Sequence, residues 1–315
     1  MSHPSTDDGI EVWRGGVNTW ECDEMGHMNV RFYVVKAMEG LAGLARHLGM
    51  PHAFSAGAAA TLLVREHHVR FLKEAHAGAP LHMTARIIDF DEAGAVVHQM
   101  LVHTRTNDPC ASVITRVVHA SPGEGRAFPW PARAVAAAER LKGEVPAFAR
   151  PRSIPLDPFE TRASLERADT LGLYCAGRGA IAARDCDVFG RMGAEQFIGR
   201  VSDGVPGLLG TVRSRVADAS PDRPKRVGGA VLEYRLVYLD WPLAGDHVEI
   251  RSGLAGFDDK TQRMNHWLLD PVSGQPWGTA EAVAVSFDLD KRKIIPIAPD
   301  LREALSAFVT PGMSL

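Results

Sequence analysis

The sequence predicts an α+β protein built from two copies of one domain, each an antiparallel sheet wrapped round a single long helix. Three observations predict it: an ordered internal repeat, a long amphipathic segment early in the first copy, and a run of Val-, Ile-, Leu- and Thr-rich segments in both copies.

The repeat fixes the organisation. Placing residues 13–17 over 177–181 superposes Arg14 on Arg178 and Gly15 on Gly179, an offset of 164. The same offset carries Cys22, Asp23, Gly26 and Met28 onto Cys186, Asp187, Gly190 and Met192, and pairs Glu39 with Asp203. Further on the offset is 167: Glu66 meets Glu233, Gly78 meets Gly245, Phe90 meets Phe257 and Pro129 meets Pro296. A loop insertion around 214–229 accounts for the change. Two copies follow, 8–142 and 170–311, joined by a Pro- and Arg-containing linker, 143–169.

In the first copy a strand and a loop lead into residues 30–48, where Phe32, Val35, Met38, Leu41, Ala42, Ala45 and Leu48 recur at helical spacing. Gly49 and Pro51 supply the stop. Segments 62–72, 81–90, 96–103 and 112–120, with turn residues between them, read as consecutive antiparallel strands. The second copy repeats them at 230–239, 247–254, 264–269 and 280–287. Each copy closes on a short helix, 132–141 and 301–308.

Composition removes several function classes. A hydrophobic fraction of 45% and a charged fraction of 23% are those of a soluble globular chain that can bury a core. The net charge is −3 and Lys and Arg are scattered, so no nucleic-acid footprint appears. The longest nearly apolar run, 56–64, is far short of the ~20 residues that span a bilayer. Residues 1–8 lack the basic and apolar regions of a signal peptide. Four cysteines without a CxxC disfavour a disulfide framework and a zinc ribbon. A cytoplasmic protein with neither nucleic-acid nor membrane partners is expected.

The chemistry centres on Asp23-x-x-Gly26-His27-Met28-Asn29-x-x-x-Tyr33, between a strand and the long helix. This motif resembles the signature of hotdog-fold thioesterases of the 4-hydroxybenzoyl-CoA thioesterase type. The repeat extends the resemblance over nearly the whole chain, to the tandem double-hotdog acyl-CoA and acyl-ACP thioesterases. The resemblance implies an intramolecular pseudo-dimer of hotdogs, with no cofactor and no metal. It also implies an acyl-CoA or acyl-carrier-protein thioester as substrate, and a catalytic role at the position of Asp23. A homo-oligomer of pseudo-dimers is compatible with it.

The residues point the same way on their own. A thioester carbonyl under attack develops negative charge on oxygen, which backbone N–H groups at a helix N-terminus stabilise. Gly26 to Asn29 lie where the helix begins, and Gly26 lets a carbonyl approach the backbone closely. Asp23 supplies a carboxylate as general base or nucleophile; a capping role is its structural alternative. Asn29 suits the N-cap better than chemistry. His27 could orient Asp23, contact substrate or hold the loop.

The candidate substrate contacts are Met28, Tyr33, Gly190, Arg191 and Glu66. In the second copy Asp187 and Gly190 persist, whereas His27, Asn29 and Tyr33 become Arg191, Gly193 and Phe197. The second cleft is therefore expected to differ in chemistry. Arg191 would either pair with Asp187 or grip carrier phosphates. Glu39 and Asp203 lie nearly three turns into the helix and are weaker catalytic candidates, while Glu66 and Glu233, acids among apolar neighbours, are candidates to face a site.

Other constellations fail. His67 and His68 are adjacent on a strand and point to opposite faces, so they cannot chelate one ion together. There is no HExxH, GxxxxGK[ST] or GxGxxG. A hotdog dehydratase or enoyl hydratase, and a non-catalytic acyl-CoA-binding protein, are the alternatives to a hydrolase.

Overall fold

The structure is a computed structural model that describes residues 9–219, 224, 226–291 and 293–315. The chain forms two compact units, one running to Pro151 with Cys186–Glu195 added, the other comprising Arg152–Asp185 and Gln196–Leu315.

The first unit contains β1 (Ile10–Gly16), α1 (Val30–His47), β2 (Thr61–Phe71), β3 (Pro80–Phe90), β4 (Gly94–His103), β5 (Asp108–Ala120) and α2 (Ala132–Arg140). Its strands run antiparallel in the order β1-β3-β4-β5-β2. α1 forms where the 3.6-residue period places Tyr33, Val34, Ala37, Leu41, Leu44 and Ala45 on one buried face. Each large apolar side chain so buried contributes about 1.5–3 kcal/mol. Asn29 caps the helix, its side chain accepting from the Arg31 N–H at 3.0 Å. Gly49, at φ +76°, ends it in the left-handed conformation that a glycine adopts without strain.

The second unit contains α3 (Leu165–Thr170), β6 (Tyr174–Ala180), most of α4 (Ala194–Ala219), β7 (Val227–Tyr238), β8 (His247–Phe257), β9 (Thr261–Leu269), β10 (Pro276–Asp288), β11 (Lys293–Ile294) and α5 (Pro299–Ser306). The antiparallel order β6-β8-β9-β10-β7 repeats that of the first unit, with β11 added on β10. The registers repeat as well: His67 opposes Thr115, and Tyr234 opposes Ala282, both at the 167 offset.

The expected loop insertion at 214–229 is corrected in part, because α4 continues to Ala219 and β7 starts at Val227. The terminator explains it. The position matching Gly49 is Arg213, which gives the helix no left-handed exit. The remainder of that insertion includes residues outside those described. Both long helices cross their first strand closely, though at glycines one turn apart in the repeat, since Gly43 matches Gly207 and Gly204 matches Gly40. A Cβ on Gly43 would collide with the Val12 carbonyl, and one on Gly204 with that of Ala176, the residue that matches Val12 in the repeat.

Candidate active site

The loop between β1 and α1 is organised by Asp23. Its Oδ1 accepts the Met25 N–H at 2.9 Å and the His27 N–H at 3.2 Å. Its own N–H donates to the His27 carbonyl at 2.8 Å, and its carbonyl accepts the Gly26 N–H at 3.0 Å. This closed turn needs a left-handed residue at its fourth position, and Gly26 sits at φ +79°. The Asp-x-x-Gly spacing is therefore first a turn, in which the side chain replaces a backbone acceptor. Among the described residues no donor reaches the other oxygen, Oδ2.

The expectation that Gly26 to Asn29 donate to an oxyanion is corrected. The Gly26 and His27 amides close the Asp23 turn, the Met28 amide donates to the Ala75 carbonyl at 2.8 Å, and the Asn29 amide to that of Glu21 at 2.8 Å. Tertiary partners have claimed them. The next amide, that of Val30 in the first position of α1, has no acceptor among the described residues. It carries the partial positive charge of the helix N-terminus.

A buried ion pair holds this loop to α1. The Lys36 Nζ lies 2.8 Å from the Glu21 Oε1, with side chains only 4% and 9% exposed. The Glu21 Oε2 accepts the Asn18 N–H at 2.7 Å, and the Trp13 ring lies 5.2 Å from the ammonium. At the 164 offset the pair becomes Asp185 and Arg200, 3.2 Å apart. Sequence inspection missed both pairs, although an acid and a base recurring at the repeat offset is a visible signal.

The second loop copies the turn and changes its chemistry. Asp187 Oδ1 accepts the Phe189 N–H at 2.8 Å and the Arg191 N–H at 3.1 Å, and Gly190 again sits at φ +79°. Here Oδ2 is occupied: the Arg191 Nε and Nη2 donate to it at 3.2 and 2.9 Å. The Arg191 side chain is 11% exposed, stands over the Phe189 ring and reaches the Pro122 carbonyl at 3.5 Å. A guanidinium so engaged is poorly placed to grip carrier phosphates, so of the two expected roles for Arg191 the geometry favours the ion pair.

The other expected residues divide. Met28 and Tyr33 are buried, Tyr33 edge-on to Phe71 with its hydroxyl pKa pushed up by burial, so both belong to the core rather than to an open surface. His27 gives its amide to Asp23, but its ring lies by Glu74 and His76. Glu39 and Asp203 are exposed on their helices. Glu66 lies 3.8 Å from Arg116. Strand alternation puts it opposite His67, whose partner Thr115 shares the face of Gln99, the residue bonded to the α1 backbone. Glu66 thus faces away from α1. Glu233 accepts the Arg152 and Ser153 amides and ties down the incoming chain. Glu233 thus serves the path of the chain, and Glu66 lies on the sheet face turned from α1.

Two antiparallel sets of strands in one repeated order, with a long helix and an Asp-x-x-Gly turn for each, define a tandem hotdog protein. The family model of the Thioesterase-like superfamily matches residues 17–138 and 181–305, and the chain belongs to that superfamily. It is a thioester hydrolase by class. Solved structures share the fold. A provisionally named oleoyl thioesterase from Lactobacillus plantarum superposes with a TM-score of 0.65 at 10% identity, over 89% of this chain and 97% of that one. The 12:0-ACP thioesterase from Umbellularia californica gives 0.61 at 11% identity, over 87% and 93%. An acyl-ACP thioesterase from Bacteroides thetaiotaomicron gives 0.60 at 7% identity, over 86% and 96%. No curated protein matches the sequence. Among the described residues, no helix is long and apolar enough to cross a membrane.

Proposed function

We propose that the chain hydrolyses acyl thioesters carried on coenzyme A or an acyl carrier protein, with Asp23 as its carboxylate and the Val30 N–H as its oxyanion donor. One observation carries the reading: in the first loop a carboxylate oxygen and a helix N-terminal amide both have no hydrogen-bond partner among the described residues. Asp23 Oδ2 acts on water as general base, or on the carbonyl carbon as nucleophile. The carbonyl oxygen gains charge as the tetrahedral species forms, and the Val30 N–H with the α1 dipole stabilises it. On the base route the C–S bond then breaks to give the carboxylic acid, which keeps the oxygen of water, and a thiolate that takes up the proton Asp23 removed. On the nucleophile route C–S cleavage first gives a mixed anhydride with Asp23 and the thiolate, and water then hydrolyses the anhydride to the acid, its proton going to the thiolate.

The test is a panel of acyl-CoA and acyl-carrier-protein thioesters assayed for thiol release with wild type and Val30→Pro. Proline suits the first position of a helix and only its N–H is missing, so the fold should persist. Loss of one oxyanion donor lowers kcat about 100- to 1000-fold. A Val30→Pro enzyme with unchanged kcat removes the donor from the mechanism. A wild type inert on every thioester of the panel removes the reading itself.

A further inference from the structure

We propose that His27, Glu74 and His76 form a site for one divalent first-row transition ion, with zinc as the favoured occupant. The inference does not depend on the hydrolase reading, because its readout is binding and not turnover.

The Nε2 of His27 lies 3.4 Å from the Glu74 Oε2, and the Nε2 of His76 lies 3.9 Å from the same oxygen. One ligand atom from each residue falls within 4.8 Å of the others. Three donors bound to zinc at about 2.0–2.2 Å in a tetrahedron stand about 3.4 Å apart, so the cluster needs only a small contraction. Two imidazoles and a carboxylate match zinc, cobalt or nickel, whereas calcium and magnesium prefer all-oxygen sets.

The support around the ligands points to a metal as well. The Nδ1 of His76 is 3.3 Å from the Gly26 carbonyl. A carbonyl only accepts, so Nδ1 carries the proton and the Nε2 lone pair is directed at the cluster. A backbone carbonyl on the far ring nitrogen is the usual way a ligating histidine is oriented. The two chain segments are already joined, because His27 and His76 form a β-bridge and the Met28 N–H donates to the Ala75 carbonyl. The ligands therefore need little ordering when the ion arrives. The His76 side chain is 58% exposed and that of Glu74 40%, which gives an entry path. Three protein ligands leave a fourth position for water or a ligand sulfur or oxygen.

No motif along the chain flags this trio, since its members lie on two loops some fifty residues apart. The site belongs to the first copy alone: the repeat places Arg191, Trp241 and Leu243 at the matching positions. An ion there would clamp the Asp23 turn to the β2–β3 connection.

The experiment uses the untagged full chain, stripped with chelator and titrated with Co2+ by calorimetry and visible absorption, then with Zn2+ in competition. The expected result is one Co2+ per chain, a ligand-field band, and displacement by Zn2+. His76→Ala and Glu74→Gln should each weaken binding at least ~10-fold, the least that losing even an outer-shell partner costs, with circular dichroism showing both variants folded. Absence of binding by wild type overturns the proposal. So does binding that folded His76→Ala and Glu74→Gln leave unchanged.

Discussion

The loops at Asp23 and Asp187 share one backbone turn, and of the side chains that differ between them the one four residues after each Asp decides the chemistry. Each carboxylate accepts two amides of its own turn through Oδ1, and each turn closes on a glycine at φ +79°. His27 in the first becomes Arg191 in the second, and that change alone ties up the second Oδ2. A repeated acid is thus evidence for a repeated turn. Whether it can act as a base depends on what stands four residues later.

The comparison can be broken at its framework first. Lys36→Met removes one partner of a buried ion pair and should destabilise the protein by about 3–5 kcal/mol. Arg200→Met, acting on a pair whose side chains are 19% and 20% exposed, should cost clearly less in the same denaturant melts. Equal losses would mean that the two frameworks carry the same load.

The chemistry comes next. Asp23→Asn should lower kcat at least ~100-fold, about 2.7 kcal/mol of barrier. Asp187→Asn should leave kcat within a few-fold, because its carboxylate is held by Arg191. Rates on one good substrate decide it; equal losses would make both loops working sites, and a larger loss at Asp187 would reverse the assignment.

Acid should also separate the copies. Burial holds His67 and His98 of the first unit, and His266 of the second, down to about 3. An unfolded histidine titrates near 6.5, so below that pH the unfolded chain takes up protons that the folded chain refuses. The contribution is complete above pH ~6.5 and is lost as pH falls toward 3, by about 2 kcal/mol per histidine at pH 5. Stability measured against pH should fall below 6.5, and hydrogen exchange should open the first unit ahead of the second. A flat profile from pH 7 to 5 would contradict this.

The smallest effect sharpens what the loops share. Gly26→Ala and Gly190→Ala should each cost about 1–2 kcal/mol, since a left-handed φ strains alanine while no atom lies within 4 Å of the added Cβ. Unequal thermal shifts would show that the two turns are not under the same constraint.

Several elements were legible because their causes are local. The α1 boundaries follow from helical spacing, the Asn29 cap and Gly49, each set within a few residues of the chain. The strand registers could be anticipated from the recurrence at 167, since two copies of one hydrophobic pattern must pair alike. Less was legible where one segment chose another's partner. Nothing within residues 26–29 tells that the Met28 amide would go to Ala75 and the Asn29 amide to Glu21, which moves the available N–H to Val30. Nor does the sequence tell that Glu66 lies on the sheet face turned from α1, or that Glu233 holds the amides of Arg152 and Ser153.

By itself, then, the sequence determined two copies, a long helix in the first, and two Asp-x-x-Gly turns, because periodicity and glycine's access to positive φ act over a few bonds. Tertiary structure alone decided which carboxylate oxygen and which amide have no partner among the described residues, and that His27 would meet Glu74 and His76. Hydrogen bonds and ion pairs are assigned by which groups the folded backbone brings within about 3 Å, and in these loops the deciding partners come from elsewhere in the chain.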